Sequence, residues 1–282
     1  MPLTSLICQG ALDTLKHLRR VRWPAISVLP TARTWELLYL LTLRDLKLRY
    51  QDTALGLLWT LMKPLALGAV LFVALKQFVR IEVDQPYHLV LLTGLFPWVW
   101  FQTSVLIATP SFAANGTLLK KVPFPRVVLP FSTILNNGIH FLITIPVLLI
   151  LLGVDGRHPN ATWLIGIPIL AVVQLALLMG VILIISSIDV FFRDLEHLIE
   201  VLLSLVFYIT PILYPLDKVP EAWRPLLLVN PLASLIEAWR DLFLHNSLPS
   251  ADLWPALLFT LGALVVGGAV FRRLEPGFAD AL

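Results

Sequence analysis

The chain has 282 residues, 58% of them hydrophobic and only 14% charged, with a mean hydropathy of +0.84 and a formal net charge of +3. A soluble domain carries about 25% charged and about 45–50% apolar residues, so this excess excludes an ordinary soluble domain and points into a membrane. A single cysteine, Cys8, excludes an internal disulfide and any CxxC metal or redox site.

In chain order, residues 1–32 match no pattern and receive no role. The first 12 are too short an apolar run for a secretory leader, and the basic residues Lys16, Arg19, Arg20 and Arg22 follow that run instead of preceding it. Insertion through the first spanning helix is expected. Tyr39, Leu43, Leu46, Tyr50, Ala54 and Leu57 then recur at helical steps, with Arg44, Lys47 and Gln51 on another face and Asp45 and Arg49 as an i,i+4 pair. This predicts an N-terminal amphipathic helix in the membrane interface, running into the first span with only Gly56 between them. By charge alone it is either a generic surface helix that fixes topology or an element mechanically tied to that span.

Six runs reach the roughly 20 helical residues needed to cross a hydrocarbon core. They lie at about 57–79, 88–110, 127–152, 162–188, 198–215 and 253–271, the fifth being the shortest. The alternation of a barrel is absent, so the fold class expected is all-α, a polytopic membrane protein with six transmembrane helices. With the N-terminus cytoplasmic, 14 Lys and Arg fall inside and 5 outside (Arg80, Arg157, Lys218, Arg224 and Arg240). Both termini, including the tail 273–282, are expected in the cytoplasm.

The cytoplasmic connection SFAANGTLLKKVPFPR (111–126) predicts a helix of two turns at most, started at Asn115 and Gly116 and ended by Pro123 and Pro125. It is an ordinary positive-inside loop or a rigid contact for another protein. The outer segment 216–252 holds apolar stretches too short to span, of the kind found in interfacial or re-entrant helices.

Polar residues inside the spans are Gln102, Asn136, Asn137, His140 and Gln174, which serve interhelical hydrogen bonding or line a pathway. Aromatic residues gather toward the external half: Phe96, Trp98, Trp100, Phe207, Tyr208 and Tyr214. They form an interfacial belt or stack on sugar rings. No GxxxxGK[ST] phosphate loop occurs, so any ATP that drives this chain binds another polypeptide. No metal site, catalytic motif or nucleic-acid partner is expected.

Five stretches in order, LRDLKLRYQDTALGLLWTLMKPL, LTGLFPWVWFQ, NGTLLKKVPFPRVVLP, FFRDLEHLIEVLLSLVFYITPILYPLDKVP and NPLASLIEAWRDLFL, resemble the membrane subunit of ABC exporters for cell-surface polysaccharides. The similarity covers about residues 33–272 and is strongest to O-antigen and teichoic-acid export permeases, looser to capsule export permeases. The resemblance implies a homodimer of six-helix permeases in a bacterial cytoplasmic (inner) membrane, paired with two copies of a separate ABC ATPase that carries ATP and Mg. It implies ATPase contacts at Arg44, Asp45, Lys47 and Arg49, at Asn115, Lys120, Lys121, Phe124, Pro125 and Arg126, and at Arg193, Asp194 and Glu196. It also implies two external re-entrant helices within 216–250 and a lipid-linked polysaccharide as cargo. Phe96, Trp98, Trp100, Gln102, Asn136, Asn137, His140, Gln174, Phe207, Tyr208 and Tyr214 are the expected translocation path. Export of teichoic acid, capsule or a small hydrophobic compound by the same architecture is the first alternative. An ATP-independent carrier or a membrane-embedded glycolipid transferase is the alternative of another class.

Overall fold

The computed structural model describes residues 32–51, 56, 58–80, 83, 85–121, 124–224, 227, 229–249 and 253–282. Residues 1–31, together with Ala54, Leu57, Pro123, Asp252 and the side chain of Lys121, lie outside the described residues. Among the described residues every regular element is helical. In order they are α1 (Ala32–Tyr50), α2 (Leu58–Phe72), α3 (Tyr87–Ala108), α4 (Ser111–Ala114), α5 (Gly116–Lys121), α6 (Val128–Val154), α7 (Thr162–Asp189), α8 (Leu195–Ile209), α9 (Pro231–His245), α10 (Trp254–Leu274) and α11 (Phe278–Ala281). α2 widens into a π-helix over Val73–Val79 and stops at Arg80, which takes the left-handed conformation at φ 59°.

Five helices are long and apolar enough to cross a membrane: Leu58–Val79, Tyr87–Ala108, Val128–Val154, Thr162–Asp189 and Trp254–Gly277. Their bounds lie close to the runs expected from the sequence. The run expected at 198–215 differs: its helix starts earlier, at Leu195, and ends after 15 residues at Ile209. The cause is Pro211, because the residue before a proline is pushed out of the helical region, and Thr210 is extended at φ −79°, ψ 139°. The uninterrupted passage from the N-terminal helix into the first span is also not found. α1 ends at Tyr50, and Gly56 has φ +49°, a left-handed conformation that breaks a helix.

α3 is the most enclosed span, packed by α2, α6, α7 and α9, with Leu89, Leu95 and Trp98 almost fully buried. α7 and α10 are the most intimate pair. A methyl added at Gly267 would strike the Gly180 carbonyl, and one at Gly180 would meet the Ala263 backbone at 2.5 Å. Small residues let the two backbones touch, which is how helices associate without a hydrophobic drive in lipid.

α9 starts where Asn230 accepts a bond from the Leu232 amide (3.0 Å), with Pro231 at the first position. It packs between α3, α7 and α10 with Leu232–Ile236, Ala238–Arg240 and Leu242–Leu244 buried.

The connections sort to two ends. At one end Leu38 and Leu41 of α1, Phe112 of α4, Phe124, Val128 of α6, Val190 after α7, Phe271 of α10 and Phe278 of α11 form one apolar cluster. At the other, Asn246 bonds the His158 carbonyl (3.2 Å) and the Trp163 indole (2.8 Å), and Arg157 reaches the Leu244 carbonyl (3.3 Å). The segments expected in the cytoplasm thus share one end of the bundle.

Candidate functional site

The side of α1 that packs on α6 is distinct from the Tyr39–Leu43–Leu46 stripe, which was expected to lie in the membrane interface. Leu38, Leu41 and Thr42 are buried toward α6, while Tyr39 stands 63% exposed. Two further turns along that packed side, at the C-terminal end of α1, comes Arg49. Its guanidinium donates to Asn137 Oδ1 (3.0 Å) and to His140 Nδ1 (2.7 Å). Tyr50, its neighbour, places its hydroxyl 2.8 Å from His140 Nε2 and against the Thr60 hydroxyl of α2. Higher on α6, Asn136 donates to the Thr42 carbonyl (3.3 Å).

These contacts fix the protonation pattern. A guanidinium only donates, so His140 Nδ1 must accept, the proton sits on Nε2, and Nε2–H donates to the Tyr50 oxygen. The Tyr50 hydroxyl then donates to Thr60. A chain of polar contacts therefore runs from α1 through the middle of α6 to the first turn of α2. Beside it lies a cavity of about 210 Å³ lined by Asp45, Leu48, Arg49, Ile107, Thr133, Asn136 and Asn137. The sequence expectation that grouped Arg49 with ATPase contacts and Asn136, Asn137 and His140 with the path separated residues that the fold brings together.

Around this joint, Arg44 pairs with Asp45 (2.8 Å), and Arg44 and Lys47 are exposed. In the loop, Asn115 donates back to the Ser111 carbonyl (2.8 Å), Lys120 is exposed, and Phe124 is buried. Pro125 is half-buried beside it. Arg126 turns inward, donating to the Glu275 carbonyl (2.6 Å) with its guanidinium 5.7 Å from the Phe278 ring centroid. Arg193 and Asp194 between α7 and α8, and Glu196 in the first turn of α8, are exposed.

The remaining path candidates divide. Phe96, Trp98 and Trp100 are buried within the protomer's own packing, Trp98 donating to Gln102 (3.1 Å) and Trp100 to the Ile134 carbonyl (3.3 Å). Gln174 is buried too, donating to the Pro97 carbonyl (2.9 Å) and accepting from the Trp239 indole (2.8 Å). Phe207 lies against Trp98, ring centroids 5.6 Å apart; Tyr208 is 68% exposed and Tyr214 half-buried.

Two residues escaped the sequence reading. Arg240, counted as an outer-loop cation, is 2% exposed, paired with Glu237 and donating to the Pro211 (2.9 Å) and Ile212 (3.2 Å) carbonyls just beyond α8. Burial pushes the Glu237 carboxyl up from its ordinary range, with the Arg240 charge pulling it back. The i,i+3 spacing of opposite charges in an otherwise apolar helix was the available signal. Asp189, one residue past the expected end of the fourth span, is fully buried, and neither carboxylate oxygen has a hydrogen-bond partner among the described residues.

A helical bundle with five helices long and apolar enough to cross a membrane, its loop helices gathered at one end and an N-terminal helix hydrogen-bonded into the middle of one of them, defines a multi-pass membrane protein. The profile described as "ABC-2 type transporter" matches residues 36–244, and the chain belongs to that family. It is 40% identical over 250 residues to "O-antigen export system permease protein RfbA" of Klebsiella pneumoniae, covering 88% of this chain and 95% of the relative. It is 34% identical over 250 residues to the protein of that name from Myxococcus xanthus, covering 87% and 95%. "Polysialic acid transport protein KpsM" of Escherichia coli is 26% identical over 237 residues, covering 83% and 92%.

Proposed function

We propose that this chain is the channel-forming subunit of an ATP-driven exporter that moves a polyprenyl-diphosphate-linked polysaccharide of the O-antigen kind across a bacterial inner membrane. It acts as a homodimer with two copies of a separate ATPase, which binds ATP and Mg. The observation that carries this reading is 40% identity along 88% of the chain to an O-antigen export permease. The lack of any phosphate loop in the sequence supports a separate ATPase. The lower identity, 26%, to a polysialic acid transport protein favours the O-antigen class over capsule.

In this reading α8 is a sixth, short crossing. Its start follows Val190 and Phe191, which pack with Phe278 at the cytoplasmic end, and Leu213 beyond it accepts a bond from Tyr87 (2.9 Å) at the start of α3. Fifteen residues rise about 22 Å, and the extended stretch from Thr210 supplies the remainder. Both termini are then cytoplasmic, and α9 is a re-entrant helix entered and left from outside.

α1 lies at the cytoplasmic interface with Arg44 and Lys47 turned to the ATPase, and Lys120 of α5 beside them. Closure of the ATPase pair pushes α1. Because Arg49 and Tyr50 are bonded to His140 and Thr60, the push reaches α6 and α2 directly, and the two protomers part around the glycan. The acceptors of this chain hold α1 to the spans; cationic side chains at the same level suit a lipid diphosphate.

Purification of the tagged chain from native membranes in mild detergent, with mass spectrometry of proteins and lipids, tests the reading. Recovery of an ATPase in equal amount with a polyprenyl-linked glycan is expected. Recovery of this chain alone overturns it.

A further inference from the structure

α8 divides into three sectors. At about 100° per residue, Leu195, Ile199, Leu203 and Val206 share the side that packs into the bundle core. Leu198, Val201, Leu202, Leu205 and Ile209 fill a second sector and are exposed, four of them large side chains more than half bare, as suits a lipid-facing surface. The third sector is also exposed but polar and aromatic. It runs from Glu196 through Glu200 and Ser204 to Tyr208, four residues at i,i+4 steps over three helical turns, with His197 alongside.

An exposed carboxylate and hydroxyl on a helix within the membrane do not face hydrocarbon, because an ionisable side chain there costs several kcal/mol by common scales, about 2.5–3.5. They face water or another protein. Among the described residues Ser204 donates to its own helix, to the Glu200 carbonyl (3.0 Å), and its side chain is exposed, which leaves the hydroxyl oxygen able to accept. Tyr208 presents a bare ring one turn further on.

We propose that this sector of α8 lines the glycan path and that Glu200 makes the path a charge filter, passing uncharged glycans and rejecting polyanionic ones. The inference rests on the exporter reading above and deepens it. Tyr208 supplies a stacking face for sugar C–H surfaces and Ser204 a hydrogen-bonding group, neither of which distinguishes charge. Glu200 distinguishes it: with one copy on each protomer, two carboxylates confront every repeat unit that is threaded through. A neutral sugar meets only acceptors for its hydroxyl groups. A uronate or sialate repeat meets like charges in a confined space where screening is weaker than in bulk water.

The test uses inverted membrane vesicles holding the chain with its ATPase, supplied with ATP and one of two polyprenyl-diphosphate-linked oligosaccharides of equal length. One is uncharged and the other carries one carboxylate per repeat. The expected ratio of uncharged to carboxylated uptake is about tenfold for the unaltered chain, falling to about twofold in Glu200→Gln and inverting in Glu200→Lys. The Glu200 side chain is exposed, so neither substitution removes core packing. A ratio that is the same in all three proteins, or a preference for the carboxylated substrate in the unaltered chain, overturns the filter while leaving ATP-driven export in place. Uptake of neither substrate in response to ATP overturns the exporter reading and the filter with it.

Discussion

Replacing His140 by Phe keeps a ring beside Tyr50, whose own ring lies 5.6 Å away edge-on, and removes both ring nitrogens. Arg49 then loses its 2.7 Å acceptor and keeps Asn137, while Tyr50 loses the 2.8 Å contact and keeps Thr60. A hydrogen bond to a charged donor is worth about 1.5–3 kcal/mol and a neutral one about 0.5–1.5. Arg49 is exposed, and polar bonds between helices in membranes average about 0.6 kcal/mol, so the low ends of those ranges apply. The expected cost of His140→Phe is about 1–2 kcal/mol, and Arg49→Gln costs about the same. The informative quantity is the cycle. Because both substitutions remove the same bond, the double variant should be less destabilised than the sum by about 1 kcal/mol. Unfolding of the four proteins in one detergent measures the coupling, and ATP-dependent export in vesicles shows whether it tracks function. Additivity within about 0.3 kcal/mol would mean that α1 and α6 are not joined through this pair, and the coupling argument would fail.

Arg240→Met strands the buried Glu237 carboxyl and releases the Pro211 and Ile212 carbonyls, with an expected loss of about 3–5 kcal/mol measured by thermal unfolding. Since burial raises the Glu237 pKa, the folded variant holds its proton at a pH where the unfolded chain has lost it. Stability of Arg240→Met should therefore be regained as pH falls and lost as it rises toward neutrality, and Glu237→Gln in the same chain should remove that pH dependence. Gly267→Leu should prevent close approach of α7 and α10 and abolish a monodisperse peak on size exclusion, whereas Gly262→Leu, which meets no atom within 4 Å, should leave the peak intact. Trp239→Phe leaves the buried Gln174 oxygen without its indole donor and should cost about 1–3 kcal/mol, most of it recovered by Gln174→Leu in the Phe background, as unfolding midpoints would show.

The spans were legible because hydropathy and length alone decide what crosses hydrocarbon, and four of the expected runs agree with the helices to within about two residues at most ends. The end of the fifth run was misplaced because Pro211 cuts the helix while the hydropathy continues through Ile212 and Leu213. The periodicity of α1 was read correctly as helical, but the side that packs on α6 was not foreseen. An apolar stripe does not say whether it meets lipid or protein, and the packed side is Leu38, Leu41 and Thr42. Arg49 and His140 could be flagged as basic and intramembrane polar, yet 91 residues separate them and no spacing rule joins them. The same holds for Gln174 and Trp239, 65 residues apart. Arg240 carried a local signal in its i,i+3 partner that topology counting overrode.

Because Arg49 is committed to α6, it is a poor probe of the proposed ATPase contact, while Lys47 and Lys120 are exposed at that end of the bundle and are the better ones. The most direct measurement is the amount of ATPase that co-purifies with the inserted chain before and after Lys47→Glu and Lys120→Glu are made together. The account predicts equal amounts of the two subunits with the unaltered chain and loss of most of the ATPase with the variant, with export lost in parallel. Undiminished ATPase recovery and export by the variant would contradict it.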